Sequence, residues 1–163
     1  MKLFQTILAA TEFSATSDAA FDEALRLAES SGAALRVIHV YDLPPSAAAS
    51  YAGPEAYLNT ETAARASAEK RLERLVQRAR DRGVEAAGIL LDGFVSDEII
   101  EAARREKADL LVMGTHGHHG LSRVVLGSVA ARVVAKAPCP VLTIRSESAQ
   151  RVPRGGGSRA ATA

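Results

Sequence analysis

The segment MGTHGHHGLSRVVLGS, residues 113–128, joins an apolar run to a stretch with helical spacing, and it decides which fold the chain can adopt. It carries four glycines, three histidines and one arginine. Glycine allows positive φ and a close approach of the backbone to a ligand, and successive N–H groups in such a loop can bind an anion. The residue types leave three interpretations open: a phosphate site, a metal site, or a surface turn without a ligand.

Short apolar segments alternate with helical patterns along the chain. Five of these segments are rich in aliphatic residues and too short for a helix, which is typical of buried strands. The predicted strands cover residues 3–10, 34–41, 84–91, 108–113 and 141–145.

Four helices are predicted between these strands. Ser17 and Ser96 are expected to cap the first and third helices, because a serine hydroxyl accepts hydrogen bonds from the free amides of a first turn. Gly32 stands where a left-handed C-cap is expected after the first helix. The second helix is predicted to begin near Thr60, after a proline-containing loop over residues 42–59, and the fourth follows the glycine-rich segment.

This alternation predicts a doubly wound α/β fold with a five-stranded parallel sheet. Two strand orders are common, 3-2-1-4-5 and 2-1-3-4-5, and in both the ligand binds where the winding reverses. In the first order that crevice lies between strands one and four, so residues 10–14 and 113–128 border it. The glycines after strand four therefore favour the order 3-2-1-4-5.

Composition predicts one domain with a sizeable core, over residues 1–145, followed by a disordered tail over residues 146–163.

A net charge of +1 provides no general attraction for nucleic acid, so an anion site has to be local. Cys139 is the single cysteine, which excludes an intrachain disulfide and fits a reducing compartment. No run approaches the roughly 18 apolar residues of a membrane helix. We therefore expect a cytoplasmic protein that binds neither nucleic acid nor membrane.

Other chemistries find little support in the sequence. The chain has no GxxxxGK[ST] phosphate loop, no GxGxxG after strand one and no GxSxG nucleophile turn. The histidines of HGHH, residues 116–119, could bind a metal with Cys139, but that cysteine follows the intervening helix and the spacing is not that of a closed zinc site. His39 lies within a strand and is interpreted as a core histidine. No metal ligand and no catalytic residue is assigned.

The segment GTHGHHGLSRVVLGS also matches the pattern G-x2-G-x9-G-[ST], with Gly114, Gly117, Gly127 and Ser128 in register. Together with ILAATEFSATSDAAFDEALRLA near the start and VAARVVAKAPCPVLTIR near the end, it resembles the universal stress protein family over residues 1–145. The resemblance implies the sheet order 3-2-1-4-5 of a Rossmann-like, adenine nucleotide alpha hydrolase-like fold.

Family members with this glycine pattern bind ATP, so the resemblance implies ATP, or AMP or ADP, as the ligand. The glycines and Ser128 would surround the phosphates and ribose, Val40 would hold the adenine edge through its backbone, and the other residues would line the pocket. The implied nucleotide-binding residues are Ala10, Thr11, Glu12, Val40, Met113, Gly114, Thr115, His116, Gly117, Gly127, Ser128 and Val129.

One residue departs from the family pattern. Glu12 stands where relatives usually carry an aspartate that meets the ribose or the phosphate-bound metal. The carboxylate is kept but its reach is longer by one methylene, so the resemblance implies a ribose contact with a shifted pose and leaves a Mg²⁺ contact as an alternative.

The function implied by the resemblance is that of a cytoplasmic, nucleotide-responsive stress regulator, with slow ATP hydrolysis at most. The alternatives are a dimeric protein-interaction module with a vestigial pocket, and a slow ATPase. Strand five, residues 141–145, is an edge strand in the favoured order, and such edges can pair with a second chain. A homodimer through this strand is expected, against a monomer whose tail shields the edge.

Overall fold

The computed structural model describes residues 3–41, 54–115 and 126–145. Five strands and four helices alternate within these ranges. In chain order they are β1 (Thr6–Ala10), α1 (Ala15–Ser31), β2 (Ala34–Tyr41), α2 (Pro54–Arg80), β3 (Ala86–Asp92), α3 (Val95–Arg105), β4 (Leu110–Gly114), α4 (Ser128–Lys136) and β5 (Val141–Ile144).

The strands form one parallel sheet in the order β3-β2-β1-β4-β5, which confirms the predicted α/β fold and its strand order. The central strand β1 pairs with β2 on one side and β4 on the other: Leu8 is opposite Arg36 in β2 and Leu111 in β4. The winding therefore reverses between β1 and β4, and this is the switch point at which ligands bind in such sheets.

Apolar residues cover both faces of the sheet. Successive strand residues point to opposite faces, so Ile7 and Ala9 pack with α1 and α2, whereas Leu8 and Ala10 pack with α3 and α4. Phe21 anchors the first cluster and is fully buried. Burying one such side chain contributes about 1.5–3 kcal/mol before the entropy of ordering is subtracted.

The first helix begins earlier than predicted. Ser14 is the N-cap of α1, and its hydroxyl accepts a hydrogen bond from the Ser17 amide at 3.2 Å, while the Ser17 hydroxyl accepts one from the Ser14 amide at 2.9 Å. The prediction that Ser17 is the cap is wrong, because the two serines form a reciprocal box in which Ser17 is the third helical residue. At the other end Gly32 has φ 66°, which confirms the left-handed C-cap.

Two more boundaries differ from the prediction. The helix α2 begins at Pro54 rather than near Thr60, since proline is tolerated in a first turn, where its missing N–H has no partner to lose. The N-cap of α3 is Phe94, without a side-chain cap, so the prediction that Ser96 caps this helix is wrong.

The predicted tail, residues 146–163, lies outside the described residues. Over the described ranges, no helix combines the length and apolar character that crossing a bilayer requires.

Candidate functional site at the carboxyl edge of the sheet

The loops that follow β1 and β4 are tied to neighbouring strands where the sheet ends. The Thr11 amide donates to the Ile38 carbonyl, and the Thr115 amide donates to the Ile144 carbonyl, each at 2.9 Å. The Gly127 amide in turn donates to the Thr115 carbonyl at 2.9 Å. The start of α4 is therefore fastened directly to the end of β4, beside the switch point.

The turn between β1 and α1 is fixed by its own polar groups. The buried Thr11 hydroxyl accepts a hydrogen bond from the Phe13 amide at 3.0 Å and donates to the Ser17 hydroxyl at 3.1 Å. Thr11, one of the predicted pocket residues, therefore uses its side chain to join this turn to α1. Its amide is hydrogen-bonded to Ile38 and its carbonyl to His39, so Thr11 mainly holds the edge in place.

Phe13 adopts φ 62°, in the left-handed region that a bulky residue rarely visits. Such a conformation costs about 1–3 kcal/mol and persists only when its surroundings hold it. Its ring lies 4.4 Å from the His39 ring, and the Arg71 guanidinium stands 4.4 Å above its face. Arg71 also donates to the Phe13 carbonyl at 3.2 Å. These contacts stabilise the strained turn, and neither Phe13 nor Arg71 was identified from the sequence, because a helix-face arginine usually points to water.

His39 links β2 to this turn through a 2.8 Å hydrogen bond between its Nδ1 and the Thr11 carbonyl. Burial lowers the pKa of His39 below its ordinary value of 6.5, the hydrogen bond to Thr11 opposes that shift, and the nearby charge of Arg71 adds to it. The ring is therefore neutral at pH 7 and donates from Nδ1. It is half-buried and packed on Phe13, in keeping with a structural role.

Glu12 projects from the same turn and is partly exposed. Its Oε1 accepts a hydrogen bond from the Ser14 hydroxyl at 2.9 Å. In residues 3–41, 54–115 and 126–145, no group of three or more His, Cys, Asp or Glu side chains could hold a metal. Mg²⁺ is commonly bound through one or two carboxylates together with substrate phosphates. The Glu12 carboxylate fits that mode of binding and does not by itself make a metal site of protein ligands alone.

The described glycines of the pattern do not use positive φ. Gly127 has φ −56°, and the described glycines with positive φ are Gly32, Gly83 and Gly93. Gly114 is needed for a different reason: a Cβ there would lie 2.9 Å from Thr16 Cγ2. Of the two properties that glycine offers, close approach of the backbone is the one that the structure uses at Gly114, in its packing against α1.

The apolar part of the edge is formed by three strand ends. Ala10, Val40 and Met113 all belong to the cluster under α3 and α4. They retain 8%, 9% and 6% exposure, whereas Leu8 and Ile38, one layer deeper, retain none. The cluster therefore approaches the surface at the carboxyl edge, next to the switch point.

The first turn of α4 completes the described edge. Ser128 is exposed, Val129 is partly buried, and no acidic residue stands in this turn. The positive end of the helix dipole and the amides of the first turn favour an anion at such a place. His116 and Gly117, together with the other residues of the segment 116–125, lie outside the described residues. Of the twelve predicted site residues, the structure brings ten to this edge.

An open groove of about 750 Å³ lies at the opposite, amino edge of the sheet. Gln5, Gly32 and Val84 are among its lining residues. Its arginine, Arg82, is paired with Glu29 at 2.6 Å. None of the predicted site residues borders this groove, and it lies away from the switch point.

Comparisons with known proteins point to one family. Residues 3–145 match the model of the universal stress protein family. Universal stress protein MJ0531 of Methanocaldococcus jannaschii is 34% identical over 143 residues, which cover 88% of this chain and 83% of that protein. The solved structure of MJ0577 from the same organism aligns with a TM-score of 0.77 at 25% identity and covers 88% of this chain and 97% of its own.

A second solved structure is a universal stress protein in complex with cAMP. It aligns with a TM-score of 0.65 at 27% identity and covers 87% of this chain and 97% of its own.

Proposed function

Because the chain belongs to the universal stress protein family, we propose that it binds an adenine nucleotide, with ATP as the principal ligand, and acts as a nucleotide-responsive stress regulator in the cytoplasm. One observation carries the proposal: the start of α4 is fastened to the end of β4 by the Gly127–Thr115 hydrogen bond, beside the switch point. The glycine pattern of residues 114–128 and a solved relative in complex with cAMP support it.

The phosphates would bind at the first turn of α4. The backbone amides of Ser128 and Val129 and the Ser128 hydroxyl are suitable donors, and no carboxylate in that turn repels an anion. Gly127 leaves room for the phosphate chain beside this turn. Gly114 and Thr115, together with His116 and Gly117, would border the phosphates and ribose as the family pattern implies.

The adenine would lie on the apolar part of the edge. Ala10, Val40 and Met113 bring the apolar cluster to the edge with 6–9% of their surface exposed, where a flat ring would pack, and the Val40 backbone is suited to the polar edge of the base. Thr11 would border the same place. Glu12 would accept hydrogen bonds from the ribose, or join a Mg²⁺ ion that the phosphates bring with them.

We propose in addition that two copies pair through β5. This strand has β4 as its neighbour and lies at the end of the sheet order, and all four of its residues are partly exposed. An uncovered apolar edge strand is a template for pairing with another chain. Dimer formation is compatible with nucleotide binding and also with the alternative function, an interaction module with a vestigial pocket.

The test is to identify what the purified protein carries and what it binds. The protein is denatured, the released small molecules are separated by chromatography, and the emptied protein is titrated with ATP, ADP and AMP by calorimetry. Released adenine nucleotide, or saturable binding with an increase in melting temperature, supports the proposal. An extract without adenine nucleotide, together with no heat of binding and no shift in melting temperature, overturns the proposal in favour of the interaction module.

A further inference from the structure

Ser96 carries the only buried side-chain oxygen or nitrogen, within the described parts of the chain, that lacks a hydrogen-bond partner. Its side chain is 2% exposed. A buried hydroxyl without a partner is costly, and native structures rarely keep one without a reason. Serine in a helix often donates to the carbonyl four residues earlier. Here that carbonyl belongs to Asp92 in β3, and no such bond forms.

Polar groups that neighbour Ser96 in the sequence of α3 already have partners. The amides of Asp97 and Glu98 both donate to the Phe94 carbonyl, at 2.9 and 3.0 Å. The Asp97 carboxylate pairs with Arg132 of α4 at 3.0 Å. The unpartnered hydroxyl is therefore not part of a local network that fixes the start of the helix.

The position of Ser96 in the fold lies near the nucleotide edge. It shares the buried face of α3 with Ile99, Ile100 and Ala103, which pack in the same cluster as Val40. Only two residues separate the end of β3 from α3, so the start of this helix lies at the carboxyl edge of the sheet.

The helix also packs against β2, the strand that ends with Val40 and Tyr41. Ser96 is the residue of the buried face closest to the start of the helix. It therefore lies at the level of the strand ends that form the apolar part of the edge.

We infer that Ser96 is a base-recognition residue, whose hydroxyl hydrogen-bonds a polar atom of the adenine ring. This inference rests on the proposed nucleotide binding. A hydroxyl can both donate and accept, and adenine offers ring nitrogens and an amino group on its edge. The otherwise apolar surface of Ala10, Val40 and Met113 binds a ring without orienting it. One hydroxyl at its border supplies the missing orientation, and the ligand supplies the missing partner of Ser96.

The test uses the full-length protein and the variants Ser96→Ala and Ser30→Ala, with ATP and AMP as probes in calorimetry. Ser96→Ala should weaken the binding of both nucleotides by the same factor of about 5–10, because they share the base. The same variant should melt about 2–4 °C higher without ligand, because it removes an unpartnered buried hydroxyl. Ser30 is exposed at the far end of α1 and donates to the Leu27 carbonyl, so Ser30→Ala should leave both affinities unchanged.

The outcomes separate this inference from the proposed function. Unchanged affinity in Ser96→Ala overturns the role of Ser96 and leaves nucleotide binding intact. Weaker binding of ATP alone also overturns it, because the effect then lies with the phosphates. A melting temperature below that of the wild type shows that the hydroxyl already has a partner in the protein. If the wild type binds neither nucleotide, both the proposed function and the inference about Ser96 are overturned.

Discussion

Gly114 lies directly against Thr16: a Cβ added to the glycine would stand 2.9 Å from Thr16 Cγ2 and 3.4 Å from the Ser17 amide nitrogen. The last residue of β4 is thus in contact with the first turn of α1. The first glycine of the pattern G-x2-G-x9-G-[ST] is required by the packing of the fold, whether or not a nucleotide is bound.

We expect Gly114→Ala to reduce the free energy of unfolding by about 1–3 kcal/mol, because an added methyl group overpacks this contact. The obstructing atom is a side-chain methyl group, so Thr16→Ser removes it. The double variant should recover most of the loss, and urea denaturation of the four proteins in this cycle measures the coupling. Additive effects of the two substitutions would show that the methyl group is not the obstacle.

The sequence predicted the fold well because strand order depends on patterns that a single chain displays. Alternating apolar segments gave the five strands, and the glycine-rich segment after β4 located the switch point. It was harder to predict which of two nearby residues caps a helix. Ser14 and Ser17 are both good caps, and only their reciprocal hydrogen bonds show which one begins the helix.

The site was only partly predictable for a related reason. The glycine pattern indicated the edge, but Phe13 and Arg71 are held there by contacts between residues 58 positions apart in sequence. Ser96 was interpreted as a helix cap, because capping is the commonest role of a serine at that place. Its lack of a partner becomes visible only when burial and hydrogen bonds are known.

Gly127 allows a test of the phosphate site that is separate from folding. Its φ of −56° and ψ of 151° are accessible to any residue, so Gly127→Val should cost the nucleotide-free protein no more than about 1 kcal/mol. A branched side chain beside the first turn of α4 would occupy the space proposed for the phosphates. We expect calorimetry to detect no ATP binding, with Gly127→Ala intermediate. Full ATP affinity in the valine variant would exclude phosphate binding at this turn.

The pKa of His39 makes stability dependent on pH. Burial lowers this pKa in the folded protein, with Arg71 adding to the effect and Glu12 opposing it. In the unfolded chain the ring titrates near 6.5. The unfolded state therefore binds the proton first as pH falls, and the stability due to the neutral ring is complete above pH 6.5 and declines below it.

His39→Asn keeps a donor for the Thr11 carbonyl but removes this titration. We expect the wild type to exceed the variant in free energy of unfolding at pH 7.5, and the excess to shrink steadily between pH 6.5 and pH 5. Urea denaturation at several pH values measures this excess. Carboxyl groups titrate in both proteins, so their contributions cancel in the difference. An excess that stays constant over this range would show that the His39 pKa does not change on folding.

The β5 edge can be blocked without disturbing the sheet. The Pro140 carbonyl accepts a hydrogen bond from Leu111 in β4, and the Ile144 carbonyl accepts one from Thr115 just after it. Alternate residues of a strand bond to the same neighbour. The backbone groups of Thr143 therefore point away from β4, towards any added strand. Thr143→Pro removes the outward N–H and should convert a dimer to a monomer while the circular dichroism spectrum stays unchanged. Thr143→Val keeps that N–H and should remain dimeric. The measurement is light scattering coupled to size-exclusion chromatography, and a proline variant that still forms the dimer would place the interface elsewhere.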